Sequence, residues 1–303
     1  PVGLYNTAQR NAWNTVREDH VSPRSFSLWA QNELRWTSWF RSIAGLRGDA
    51  YDFSVDSNLS ANSGKASDQM VTPKLSLVFG PWQRTELYLN YGHGFHSNDA
   101  RGTTITREPG SGNPVDRVKP LVRTKGSEIG LRTESLAGSR STVALWQLEA
   151  ASELLFVGDA GTTEASRPSR RYGIEWNNLY VPTDWLAFDA DLAFSHARFR
   201  DDDPVGNHIP GAVASTANLG VTIDQLGPWF ASLRFRYFGQ RPLIEDNSVR
   251  SSSSALTNLR LGYKLNPKTR IALDVYNLFD RKVNDIEYWY ESQLSNETAA
   301  QGD

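Results

Sequence analysis

The chain has 303 residues, enough for one large β domain or two ordinary ones. Its 32 Lys and Arg stand against 34 Asp and Glu, a net charge of -2 that lacks the basic excess of a nucleic-acid binder. It contains no cysteine, which excludes disulfide frameworks and thiolate metal sites.

Alternation of apolar and polar residues with period two predicts about twelve β-strands. They cover roughly 23–36, 39–57, 71–80, 84–95, 125–137, 140–158, 168–181, 185–199, 212–226, 229–241, 254–265 and 269–279. In "WLAFDADLAFSHA", Leu186, Phe188, Ala190, Leu192 and Phe194 share one face, while Asp189, Asp191 and Ser195 share the other. Leu233 and Phe235 likewise oppose Arg234 and Arg236, and Leu259 and Leu261 oppose Arg260. Short connections rich in turn formers ("TS" at 37, "PWQ" at 81, "GS" at 138, "PTD" at 182, "GP" at 227, "NPK" at 266) alternate with long polar loops, the longest at 96–124. "RSSSSA" at 250–255 is a short loop run, and no internal repeat exceeds the hairpin rhythm.

Mean hydropathy is -0.49, and no apolar run approaches the 18 or so residues of a membrane-crossing helix. Yet the chain carries 10 Trp, 11 Tyr and 13 Phe. Many predicted strands reach the roughly 9–11 residues that cross a bilayer at a tilt, and backbone in lipid must be paired internally. Long and short connections in strict alternation, a polar average and abundant rings together predict a transmembrane antiparallel up-and-down β-barrel, all-β in class.

The stretch "YLNYGHGFHSNDARGTT", residues 88–104, has the outward look of a functional site. As a phosphate loop it lacks the third glycine and any βαβ context. His93 and His96, three apart on a strand, point to opposite sides, which argues against a shared metal. It reads instead as a strand end: Gly92 and Gly94 on the lumen side ease close packing, and Tyr91 and Phe95 fall on the lipid side. Polar-face charges such as Glu128, Arg132, Glu175, Asp189, Arg234, Arg260 and Asp274 carry both signs and read as a hydrated wall of cross-strand pairs. Tyr172, Trp176, Tyr180, Trp185, Trp229, Tyr237 and Tyr263 read as girdle anchors. No Gly-x-Ser-x-Gly, His-Glu-x-x-His or spaced carboxylate pair is present, and His20, His196 and His208 belong to no catalytic motif.

Five segments, in order, resemble the C-terminal half of the barrel of TonB-dependent outer-membrane receptors. They are "SFSLWAQNELRW", "ELYLNYGHGFHSND", "RRYGIEWNNLY" (Arg171, Gly173 and Glu175), "HARFRDDDPVGNHIPGAVASTANLG" and "IALDVYNLFDRKV" (Asn277, Leu278, Phe279 and Asp280). Ala214 stands where the family often has proline. The resemblance implies a barrel occluded by an N-terminal plug and uptake of scarce nutrients, most often ferric chelates, powered through the TonB protein. It implies location in the outer membrane of a Gram-negative bacterium, contact with its lipid, a monomer, and no catalysis or cofactor. Residues 1–303 are then expected to form a partial barrel domain, since "PVGLYNTAQRN" and "NETAAQGD" read as cuts through loops; plug, TonB box, first strands and closing strand are expected elsewhere.

The loop 96–124 is expected to lack regular structure and to meet ligand first. His96, Asp99, Arg101, Arg107, Arg117 and Lys119 are its candidate binding residues, the cations suited to an anionic metal chelate. The rival readings are a passive porin, an outer-membrane barrel hydrolase and, more remotely, an adhesin or secretion pore.

Overall fold

The computed structural model describes residues 17–157, 162–284 and 286–289. Strands β1 (Asp19–Arg35), β2 (Phe40–Ser57), β3 (Gly64–Trp82), β4 (Thr85–Ser97), β5 (Leu121–Thr133) and β6 (Ser139–Ala150) are followed by a small hairpin, β7 (Leu154–Val157) and β8 (Thr162–Ala165). Then come β9 (Ser169–Thr183), β10 (Leu186–Phe199), β11 (Ser215–Leu226), β12 (Trp229–Phe238), β13 (Ser254–Asn266) and β14 (Thr269–Val275). The helix α1 spans Ala100–Thr104. All strands except β7 and β8 join one sheet in sequence order, each pairing with its neighbours in the chain. This up-and-down order is what the alternating connections predict.

Two compact units partition the chain. Among the described residues, the first holds 17–28, Gly48–Val71 and Phe95–Val122; the second holds Trp29–Arg47, Thr72–Gly94 and those from Arg123 onward. The termini read above as loop cuts lie outside the described residues.

Several boundaries differ from expectation. β3 starts at Gly64 rather than 71, so the connection before it shrinks to 58–63, which contains a single 3-10 turn at Ser60–Asn62. Polar residues in "GKASDQ" masked this extension, because a strand continued beyond a hydrophobic layer has no apolar face to show. The expected strand 140–158 stops at Ala150, and Leu154–Val157 belongs to the β7–β8 hairpin. β5 runs from Leu121 to Thr133 rather than 125–137, because Leu121 and Val122 are buried and extend its outer end. β11 starts at Ser215 and β12 ends at Phe238, three residues short of the expected limits in each case.

β14 ends at Val275, not 279. The Asn277–Asp280 motif is a turn: Asn277 Oδ1 accepts from the Arg281 backbone N–H (3.0 Å), and Asn277 and Asp280 adopt φ of 50° and 47°. Asparagine and aspartate tolerate that left-handed conformation better than most residues.

On the sheet's polar face, Glu86 takes Arg41 (2.9 Å) and Arg132, Asp189 pairs with Arg234 (2.6 Å), and Asp274 with Arg260 (2.6 Å). This is the wall of cross-strand pairs that the sequence predicts. Glycines on the same face receive bulky neighbours. Trp146 stands opposite Gly173 and Phe230 opposite Gly262, and a β-carbon at either glycine would run into the ring. The Tyr88 ring covers Gly130, and the Asp189–Arg234 pair covers Gly220.

The other face is apolar and largely exposed, as with Ile129, Leu145, Ile174, Phe194, Leu233 and Leu261. Rings gather at the short-turn end: Trp39 stacks on Trp82 (6.3 Å), and Trp229 meets Tyr263 edge-on at 4.7 Å. Gln83 and Arg84 both take positive φ in the two-residue turn between β3 and β4, as a hairpin of that length demands.

Candidate functional site

The long-loop end of the first unit is a built structure. Asn62, 2% exposed, holds the segment after β4: its Oδ1 accepts from the backbone N–H of Thr106 (3.0 Å) and Arg107 (2.9 Å). Its Nδ2 donates to the Arg107 carbonyl (2.8 Å), and its own carbonyl accepts from Thr104 Oγ1 (2.9 Å). One buried asparagine thus meets three backbone groups of the segment after α1. Ala100 of α1 joins Phe53 and Val55 of β2 in a small apolar cluster, with Tyr51 and Val21 at its margin. The loop closes at its base where Asn98 donates from its backbone N–H to Pro120 (2.9 Å) and from Nδ2 to Lys119 (2.7 Å).

This corrects the expectation that 96–124 is irregular. Asp99 caps α1 by accepting from the Arg101 backbone N–H at 2.9 Å, and the same carboxylate takes the Arg101 guanidinium at 2.5–3.1 Å. Serine-like short acceptors are strong helix starters, and "NDARGTT" carries that signal. Phe95 is also displaced from its expected lipid side: its ring meets Tyr51 edge-on at 5.8 Å, and Tyr51 stacks on the buried Phe53. Gly92 and Gly94 do serve close packing, since a β-carbon at Gly94 would sit 2.9 Å from Thr124 Oγ1 and one at Gly92 3.3 Å from the Lys74 β-carbon.

The six predicted site residues separate into two groups. Asp99 and Arg101 are spent on each other, and the Arg101 guanidinium holds the Asp99 carboxyl below its usual range. Arg107 donates to the Gly112 carbonyl (2.9 Å), and His96 is half-buried near the strand end. Arg117 and Lys119 are exposed, and neither side chain has a hydrogen-bond or ion-pair partner among the described residues. His93 lies apart from His96, with its ring between Tyr91 Oη (3.1 Å) and Arg123 Nη1 (3.3 Å). No three His, Asp or Glu side chains converge as metal ligands among the described residues.

In the second unit, the connections 200–214 and 239–253 interlock at the same end of their strands. Ile209, 1% exposed, packs with Ala197 and Phe199. Arg167 lies over the Phe199 ring at 4.4 Å, pairs with Asp201 (2.8 Å) and donates to the Gly206 carbonyl (2.8 Å). The Arg167 guanidinium lowers the Asp201 carboxyl below its usual range. The His208 backbone N–H donates to the Glu245 carbonyl at 2.9 Å, and burial pushes the His208 imidazole below its ordinary value, helped by the charge of Arg198. Sequence reasoning overlooked Asn62 and Arg167. Their roles depend on partners 42–45 and 34–39 residues away, which no local pattern reports.

Strands of 12–19 residues across most of the sheet, one lipid-compatible face and one charged face define a β-barrel domain of the outer-membrane type. The family model "TonB dependent receptor-like, beta-barrel" matches residues 1–278, and the chain belongs to that family. Its members sit in the outer membrane of Gram-negative bacteria, so the loop end described above is the external one.

Among curated proteins, the pesticin receptor of Yersinia enterocolitica is 24% identical over 311 residues, covering 94% of this chain and 45% of the relative. The ferric yersiniabactin uptake receptor FyuA from Yersinia pestis superposes with a TM-score of 0.72 at 18% identity, over 91% of this chain and 43% of that one. The ferric-catecholate import receptor Fiu from K12 E. coli gives 0.69 at 20% identity, over 87% and 41%. The chain therefore spans less than half the length of these relatives, and the superpositions establish the fold.

Proposed function

We propose that residues 1–303 supply barrel wall and external loops to a monomeric receptor that takes up a ferric siderophore or similar metal chelate. A plug joined to this barrel would occlude it, and TonB would drive import. The observation that carries the reading is the state of Arg117 and Lys119. They project from a loop whose other cations are consumed by Asp99 and a backbone carbonyl, on a base pinned by Asn62 and Asn98. Two unpaired cations on an anchored external loop suit an anionic chelate, since charge-assisted hydrogen bonds are stronger than neutral ones. The ferric chelates named for FyuA and Fiu support the same substrate class. His96 and Arg107 are assigned to the rim of this site, and Asp99 and Arg101 to its scaffold.

The test is equilibrium binding of catecholate, hydroxamate and phenolate ferric siderophores to the full-length receptor. Arg117→Ala combined with Lys119→Ala should weaken the bound siderophore about tenfold, or about 1.4 kcal/mol. Unchanged affinity in the double variant would move capture to other loops. Failure of every ferric chelate to bind would remove the substrate assignment.

A further inference from the structure

The outer face of β5, β6, β9 and β10 changes character in three successive rows. Cross-strand register aligns Ile129, Leu145, Ile174 and Phe194 as an apolar row. Two residues further out stand Ser127, Gln147, Tyr172 and His196, with the Tyr172 and His196 rings 5.1 Å apart. Two further still stand Lys125, Glu149, Arg170 and Arg198. Arg123 lies beyond Lys125, and Arg200 reaches Glu149 at 3.4 Å. Three cations thus share the Glu149 carboxylate, which also takes Lys125 at 3.6 Å and Arg170 at 2.8 Å, and Arg198 stands beside them in the same row.

Height places this row against the headgroups. A strand advances ~3.4 Å per residue, or ~2.6 Å along the membrane normal at a tilt of ~40°. From Leu186, beside the short turn, the ring row at His196 is ~26 Å up, at the top of an apolar band ~25 Å tall. The charged row is about 5 Å higher and keeps the parity of the lipid-facing residues. Past Arg198 the row continues only as far as its bridge to His208, because β11 begins at Ser215 opposite Phe194.

Solubility alone does not account for the imbalance. On the lumen wall, Asp189 and Asp274 each answer one arginine, and Glu86 answers two. On the outer rim Lys125, Arg170, Arg198 and Arg200 gather around the one carboxylate of Glu149. We propose that this patch binds phosphorylated headgroups of the surrounding leaflet, in this membrane its phosphate-bearing glycolipid. Lys125, Arg170 and Arg198 make the central contacts, and Tyr172 sits at the acyl boundary, where amphipathic rings are favoured. The inference rests on the membrane location of the barrel and is independent of the chelate reading.

The experiment uses the full-length receptor in detergent, mixed with diphosphoryl lipid A, its fully dephosphorylated form or phosphatidylcholine. Lipid retained per receptor is read by native mass spectrometry. Wild-type protein should retain diphosphoryl lipid A well above the other two, and less as ionic strength rises. Lys125→Gln, Arg170→Gln and Arg198→Gln combined should cut that retention about tenfold. The same charge change on the lumen wall, Arg132→Gln, Arg234→Gln and Arg260→Gln, should leave it intact, with heat-modifiable migration reporting that each variant folds. Equal retention of phosphorylated and dephosphorylated lipid by wild-type protein, a comparison that needs no variant, overturns the proposal. So does equal retention by wild-type and rim variants, or displacement of the lipid by excess inorganic phosphate, which would mark a small-anion site.

Discussion

The carboxylate of Asp99 accepts from both the backbone N–H and the guanidinium of Arg101, two residues along, so one side chain starts α1 and also neutralises a cation that could have faced ligand. Asp99→Ala should remove the cap at a cost of about 1 kcal/mol to the loop. Exchange of the amides at 100–104 should speed up while the strands keep their protection. The native Asp99 pKa is depressed, so its contribution is complete above the unfolded value of ~3.9 and disappears as pH falls through the lower native value. Unchanged amide protection in the variant would mean that Phe53 and Val55 hold α1 unaided.

Asn62 holds more of the same loop than any residue within it. Asn62→Ala removes its hydrogen bonds to the backbone of Thr106 and Arg107, each worth about 0.5–1.5 kcal/mol. Limited proteolysis should then cut between residues 105 and 118 at protease levels that spare the native receptor. Resistance equal to that of wild type would show that water or neighbouring polar groups replace the asparagine.

His208 makes the 200–214 connection sensitive to mild acid. Its native pKa lies below the unfolded value of ~6.5, so protons bind the disordered loop more readily. The ordered state keeps its full advantage above pH ~6.5, loses it as pH falls below that value, and levels off beneath the native pKa. A fluorine label at the exposed Val205, introduced through Val205→Cys, should broaden toward a mobile signal between pH 7.5 and 5.5. His208→Gln should abolish the change, and a pH response that persists in that variant would assign it elsewhere.

Neighbouring residues on β12 test the two faces. Leu233→Arg puts a charge in the lipid-facing row with Val221 and Leu259, at ~2–4 kcal/mol near the midplane. Arg234→Leu removes one partner of a hydrated pair with Asp189 and should leave assembly largely intact. Folding yield into bilayers reads both, and equal damage would contradict the assigned parity.

The strands were legible because lipid imposes a strict rule: every second residue between Leu186 and Phe194, or between Leu259 and Leu261, must be apolar. Where that rule stops, sequence reading lost accuracy. β3 above Met70 and β5 at Leu121 carry polar or mixed residues, and their boundaries shifted by four to seven positions. The loop cations were visible as a set, but which were already paired was not. Asp99 and Arg101 adjoin in sequence and still looked like two ligand contacts, since charge alone does not reveal a cap. Asn62 and Arg167 gave no signal, because each acts on chain dozens of residues away.

The glycines that receive Tyr88, Trp146, Phe230 and the Asp189–Arg234 pair bear on how the hairpins align during assembly. Apolar alternation detects a slip of one residue, which turns the wrong face to lipid, but it is blind to a slip of two. Trp146 and Phe230 each meet a bare α-carbon only in the native alignment. Shifted by two, Trp146 would face Glu175 or Arg171, and Phe230 would face Arg260 or Lys264, with no cup for the ring. The glycines therefore act as vernier marks, rejecting misalignments that hydrophobicity would accept.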